Sequence, residues 1–189
     1  MADGTLKVGT ITTSSGSGTI TLGQSGETVS VPSGATLDMS SGTMTLNSSM
    51  KNTPSFLAYQ SSAQSISNAA NTTITLDTEV YDTDSAFASN TFTVPSGEGG
   101  KYLFSFAVRQ NNNTQNRLYA DLVDGGGNSR ATFENGNGGA YDSVGGCAIL
   151  SLSAGDTMVL KFYQNCGTSN NTLPGANNTY FGACKLIGV

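Results

Sequence analysis

Carboxylates and amides are the side chains this sequence clusters densely enough to do chemistry. Asp77, Glu79, Asp82 and Asp84 all fall within Leu76–Ser85. An Asp-x-Asp-Ser run can offer carboxylate and backbone oxygens to a hard cation, which makes Asp82 and Asp84 the calcium candidates. The same run is also ordinary turn chemistry. General acid–base work would need one carboxyl raised in a cleft, and spacing alone picks out no such pair. The D-G-G-G-N run at 124–128 lacks the lysine and following helix of a phosphate loop. There is no histidine anywhere, which removes Ser-His-Asp and Cys-His catalysis and the usual zinc sites. The expectation is a protein that is not an enzyme and uses no cofactor; a polysaccharide-degrading activity is the weakest alternative.

The amides lie in three polar stretches. Asn111, Asn112, Asn113, Gln115 and Asn116 form one, Asn135, Asn137 and Tyr141 a second, and Asn170, Asn171, Asn177 and Asn178 a third. Amides donate and accept, and a tyrosine adds an aromatic face, so these residues are the binding candidates, with a glycan or similar surface polymer as ligand. Solvated loops rich in turn formers are the competing reading. Three cysteines are spaced too widely for a metal knuckle. Cys147 and Cys184 sit in apolar runs, as small buried hydrophobes do. Cys166 lies in a polar loop and is the thiol open to reaction or pairing. A reduced cytosol as the site of synthesis fits this usage.

The elements that must position these residues follow from composition. Charged residues make up 11% of the 189, against roughly a quarter in an ordinary soluble domain. Gly, Ser, Thr and Asn take their place. Eight Lys and Arg against 13 Asp and Glu argue against a nucleic-acid partner and against an anionic membrane surface. The N-terminus lacks the pattern of a signal peptide, and no apolar run approaches the roughly 20 residues of a membrane span.

Residues 4–50 carry apolar pairs, Ile20/Leu22, Val29/Val31, Leu37/Met39 and Met44/Leu46, at steps of nine, eight and seven residues. Glycines and serines separate them. Each unit reads as a short strand and a turn, and buries too little to offset about 1–2 kcal/mol of backbone entropy per residue. Such a region is either a flexible linker or is completed by other chains, for which three chains wound on one axis are the natural solution. Residues 1–54 are therefore read as a β-repeat stalk and attachment segment. Aromatics begin only after Pro54, where a head domain of 55–189 starts.

In 55–189, nine strands separated by glycine and asparagine turns predict an all-β antiparallel sandwich. Asn90–Pro95 and Lys101–Gln110 read as a central hairpin, with Tyr102, Phe104, Phe106 and Val108 on one face. Thr72–Tyr81 reads as one strand with Ile74, Leu76 and Val80 together. Two late strands are apolar on both sides, which asks for a second copy of the chain beyond the sandwich core. Val159, Tyr163, Tyr180, Phe181 and Ile187 are the interface candidates.

In order and spacing, F-T-V-P (92–95), G-K-Y-L-F-S-F (100–106), G-G-C-A-I-L-S-L-S-A-G-D-T-M-V-L (145–160) and Y-F-G-A (180–183) match a known pattern. Residues 55–189 resemble the trimeric complement 1q-like and tumour-necrosis-factor-like jelly-roll family. That resemblance implies a homotrimer with the three amide-rich loops at the end far from the stalk; some members hold calcium. No Trp is present and the loops are long, so no ligand site carries over. Residues 1–54 are similar to the β-repeats of bacteriophage fibre and virion-appendage proteins. Together the two resemblances imply a homotrimeric virion structural protein, made in the host cytoplasm and carried on the virion surface. Its partners would be itself, other virion proteins through the N-terminal segment, and a host-surface glycan at the loop end. A capsid decoration protein without receptor binding is the alternative.

Overall fold

The computed structural model describes residues 9–12, 18–46, 50–111, 117–135 and 141–187, with the side chain of Tyr141 left aside. The chain divides into two units, Met1–Met44 and Thr45–Val189.

In the first unit, turns fall where glycines permit them. Glu27 N donates to Gln24 O, Ala35 N to Pro32 O and Gly42 N to Met39 O, each at 3.0 Å. Gly26 and Gly34 take φ of 88° and 84°, a left-handed conformation costly for other residues. These turns recur at the spacing of the apolar pairs. Between them the described residues form no strand, and Ile20, Leu22, Val29, Val31, Leu37, Met39 and Met44 are all exposed.

Among its described residues the second unit holds thirteen strands. They are β1 (Ser55–Tyr59), β2 (Ser65–Ile66), β3 (Ala70–Thr73), β4 (Thr78–Asp82), β5 (Phe87–Ala88), β6 (Thr91–Thr93), β7 (Gly100–Asn111), β8 (Leu118–Asp124), β9 (Ser129–Asn135), β10 (Tyr141–Leu152), β11 (Thr157–Gln164), β12 (Asn170–Asn171) and β13 (Tyr180–Lys185). Every named pairing is antiparallel. One sheet runs β10-β7-β13-β1-β4; the other runs β5-β6-β11-β8-β9 with β3 added on β11. A small third ladder joins β12 to β2.

Alternation decides which side chains meet between the sheets. Phe56, Phe104, Phe106 and Phe181 from the first sheet and Phe92, Leu122, Met158, Leu160 and Phe162 from the second are all buried to within 1%. Phe92 bridges the layers, its ring centroid 5.3 Å from Phe56 and 5.7 Å from Phe104. The sandwich is all-β, as the strand pattern predicts.

Two readings of the strands are corrected. Residues 90–110 are not a hairpin, since β6 pairs with β5 and β11 while β7 pairs with β10 and β13. The chain crosses from one sheet to the other through 94–99, where Val94 N donates to Asp156 O and Glu98 N to Pro95 O. The predicted strand Thr72–Tyr81 is likewise two strands, β3 and β4, in different sheets. Ile74 and Leu76 are buried in the crossing, but Val80 is 53% exposed on the edge strand β4.

Candidate functional site

The three amide-rich loops leave from one end of the sandwich. Asn111 pairs with Tyr141 across β7 and β10, Leu118 with Asn135 across β8 and β9, and Gln164 with Leu118 across β11 and β8. Pro54, where the chain enters the sandwich, is at the opposite end, accepting a hydrogen bond from Lys185 N. Asn112, Asn113, Gln115, Asn116 and Asn137 lie outside the described residues. Of the described candidates, several work for the fold. Asn135 Nδ2 donates to Ser143 O at 3.0 Å. Asn178 Nδ2 donates to Pro174 O at 2.8 Å, and its Oδ1 accepts from Arg109 at 3.1 Å. Asn170 and Asn171 form β12 on β2. Asn111, Asn171 and Asn177 remain exposed.

At this end of the sandwich lies a buried polar layer absent from the sequence expectations. Gln60, Gln110 and Gln164 are 0% exposed, and Thr172 and Thr179 nearly so. Gln164 donates to Ile66 O and Thr168 O and accepts from Cys166 N at 2.7 Å. Thr172 Oγ1 donates to Gln60 Oε1 and accepts from Gln64 N at 2.9 Å. Thr179 Oγ1 donates to Leu173 O. Burying an amide unpaired would cost about 1–3 kcal/mol, so these bonds pin the 165–178 loop to β1, β2 and β11. Strand parity is the signal that finds them: Gln110 continues the inward series of Tyr102 to Val108, and Gln164 that of Met158 to Phe162.

Cysteine placement reverses the expectation at two positions. Cys166 is 7% exposed, with Gln110 Nε2 at 3.6 Å from its Sγ. Cys147 is exposed, because on β10 it stands on the outward parity opposite Ser105.

The outer face of the first sheet carries an apolar patch. Leu57, Tyr81, Leu103, Tyr180 and Cys184 surround a depression of about 140 Å³ whose centre is held low by Ser105 and Gly182. A Cβ on Gly182 would come within 2.9 Å of Phe56 O, so the pairing of β13 with β1 favours glycine here. Beside it on β10, Ile149 is 60% exposed. Of the interface candidates only Tyr180 belongs here. Phe181 is core, stacked on Phe104 at 5.8 Å, because its parity turns it inward. Val159 and Tyr163 lie on the outer face of the second sheet, beside Val123 and Tyr119. Ile187 follows β13 and is 43% exposed.

The carboxylates are acceptors at turns. Asp82 takes Ala86 N and Phe87 N, each at 3.0 Å, on its two oxygens. That leaves little of it for a cation, and Asp84 sits alongside at φ 65°. Among the described residues no three Asp, Glu, Cys or His side chains come together as metal ligands. The Ser61 N–H, 2.7 Å from Asp77, holds that carboxyl below the usual range. Asn128 N–H does the same for Asp124, and Arg117 for Glu134. These displacements favour the ionised form, the opposite of what a general acid needs.

A family model, the C1q domain, matches residues 55–182. Among solved structures, the globular domain of zebrafish complement 1qA superposes with TM-score 0.53 at 18% identity, covering 70% of this chain and 96% of that one. Murine APRIL gives TM-score 0.56 at 15% identity, with 70% and 98% covered. Eiger TNF from S. frugiperda gives 0.51 at 15%, with 71% and 93% covered. No curated protein sequence matches. With the family model spanning more than half its length and the two-sheet topology in accord, the chain belongs to the C1q domain family.

Proposed function

We propose that the protein is a homotrimeric virion structural protein, a short fibre-like appendage. In this reading its N-terminal repeats complete one another between chains, and its C1q-domain heads present their amide-rich loops to a host-surface glycan. The observation that carries self-association is the N-terminal unit, where seven large apolar side chains recur at regular spacing and all stand exposed. Their exposure leaves apolar surface to be covered, and each would contribute about 1.5–3 kcal/mol on full burial. The apolar patch on the outer face of the first sheet supports the same reading, and C1q and TNF-like domains typically form trimers. The virion context is supported by the likeness of residues 1–54 to bacteriophage appendage repeats, and the glycan by the exposed amides at the loop end.

Imaging of intact particles with a label on this chain tests the virion role. A few copies at the tail are expected for a host-contacting appendage. Many copies over the head would make it a decoration protein, and no label on particles would end the virion reading.

A further inference from the structure

Arg117, Tyr119 and Tyr163 form a rigid ladder on the outer face of the second sheet, at its loop end. The Tyr119 and Tyr163 rings stack with centroids 4.6 Å apart and planes within 10°. The two residues face each other across β8 and β11, and 4.6 Å is close to the spacing of neighbouring strands, about 4.7–4.9 Å. The rings therefore stand on edge from the sheet, with their faces turned along it. Arg117 covers Tyr119, its guanidinium carbon 5.1 Å from the ring centroid. Glu134 fixes the Arg117 guanidinium through two bonds, 2.7 and 3.1 Å. Tyr119 is thus flanked by both, while among the described residues no second ring or cation stacks on Tyr163.

The other face of Tyr163 turns toward β3, which among the described residues pairs with β11 alone and puts Asn71 directly opposite Tyr163, and Thr73 opposite Lys161. The result is a ledge with an aromatic wall and an amide-and-hydroxyl floor. Its charges balance in number, two cations against two carboxylates, though Lys161 and Asp121 share a register position and not an ion pair. Arg117 is paired with Glu134, and Lys161 is registered against Asp121, whose Oδ1 accepts from Ser129 and Thr132 hydroxyls. A neutral, hydroxyl-rich ledge with one flat apolar wall suits neither an anionic polymer nor a greasy partner.

We propose that Tyr163 and Asn71 form a binding subsite for an uncharged oligosaccharide, the C–H face of one sugar ring lying on Tyr163 and its hydroxyls bonding to Asn71 and Thr73. The proposal rests on the reading that the loop end faces a glycan, and moves the contact from the loops to the flank of the sheet. The ladder matters because it holds Tyr163 in one orientation before the sugar arrives, which lowers the ordering cost of binding.

The test titrates the whole protein with uncharged oligomers of N-acetylglucosamine, galactose and glucose, and with a sulfated oligomer for contrast. With seven Tyr and no Trp, tyrosine emission is free of a tryptophan background, and the difference between the unsubstituted protein and Tyr163→Phe isolates the part that comes from the stack. At least one uncharged oligomer is expected to bind and shift the emission. Tyr163→Ala should weaken it about tenfold, Asn71→Ala should weaken it too, and Tyr163→Phe should keep it. The proposal is overturned if only the sulfated oligomer binds, if no oligomer binds, or if Tyr163→Ala binds unchanged. It is also overturned if Tyr163→Ala lowers the native mass instead, which would make this face a contact between copies. Native mass and thermal unfolding are read on the same samples, so a misfolded variant or a failure of the trimeric reading is seen separately from a failure of the subsite.

Discussion

Phe56 and Phe181 meet edge to face, ring centroids 5.1 Å apart and planes at 81°, both fully buried between the sheets. One residue earlier on the same strand, Tyr180 points the other way and lines the outer depression with Leu57. Adjacent residues of β13 therefore serve two different surfaces. Phe181→Ala should cost about 3–5 kcal/mol of stability, as other large-to-small core changes do, and is read as a fall in melting temperature. Leu57→Glu should leave the near-ultraviolet circular dichroism of the head unchanged while weakening association, read as a loss of native mass at micromolar concentration.

The Pro54 end of the sandwich is closed by an ion pair. Lys185 Nζ lies 2.8 Å from Glu98 Oε2, with both side chains largely buried. Removing one partner strands the other charge, so Glu98→Ala should destabilise by about 3–5 kcal/mol. Replacing both, as Glu98→Leu with Lys185→Met, should recover most of that loss in chemical denaturation.

Alkaline stability depends on Tyr102. Its hydroxyl donates to Glu98 O at 2.5 Å, and burial, with the Glu98 and Asp84 charges, pushes its pKa up to about 12 from 10. Between those values the unfolded chain has released a proton that the folded one keeps. The Tyr102 contribution to stability should then be level below pH 10 and fall as pH rises from 10 to 12. In Tyr102→Phe that part of the slope should vanish, and absorbance at 295 nm should lose one late-titrating phenol.

Asp82 caps the turn at Ala86 and Phe87, so its value is to the fold. Asp82→Ala should cost about 1–2 kcal/mol, as lost caps of this kind do. The melting temperature of the unsubstituted protein should be the same in millimolar calcium and in chelator, and a calcium-dependent rise would return Asp82 and Asp84 to candidacy as ligands.

Strand positions and inward faces were legible because alternation is written into the residues, as Tyr102, Phe104, Phe106 and Val108 show. Sheet membership was not. Nothing local distinguishes a hairpin from a crossing at Pro95–Gly99, since the same glycines serve both, and the distant partners decide it, β5 and β11 for β6, and β10 and β13 for β7. Nor does parity choose a side where both faces are apolar, which is why Phe181 read as surface. Gln110 and Gln164 were hidden for a different reason: both ended strands of the sequence reading, but burial of a polar amide depends on partners that are distant in sequence. Gln164 finds them on both ends of its amide, while Gln110 keeps its Oε1 buried without one among the described residues. The candidate subsite was half legible, since Tyr163 stood out as an aromatic on an outward face, while its stacking on Tyr119 depends on residues 44 apart in sequence meeting in register.

The central claim is that copies of this chain complete one another. Native mass by light scattering on the intact protein tests it most directly. Three times the 19.3 kDa of one chain is the expected result, persisting on dilution; a mass of one chain at all concentrations, with the apolar pairs of residues 20–46 left exposed, would contradict it.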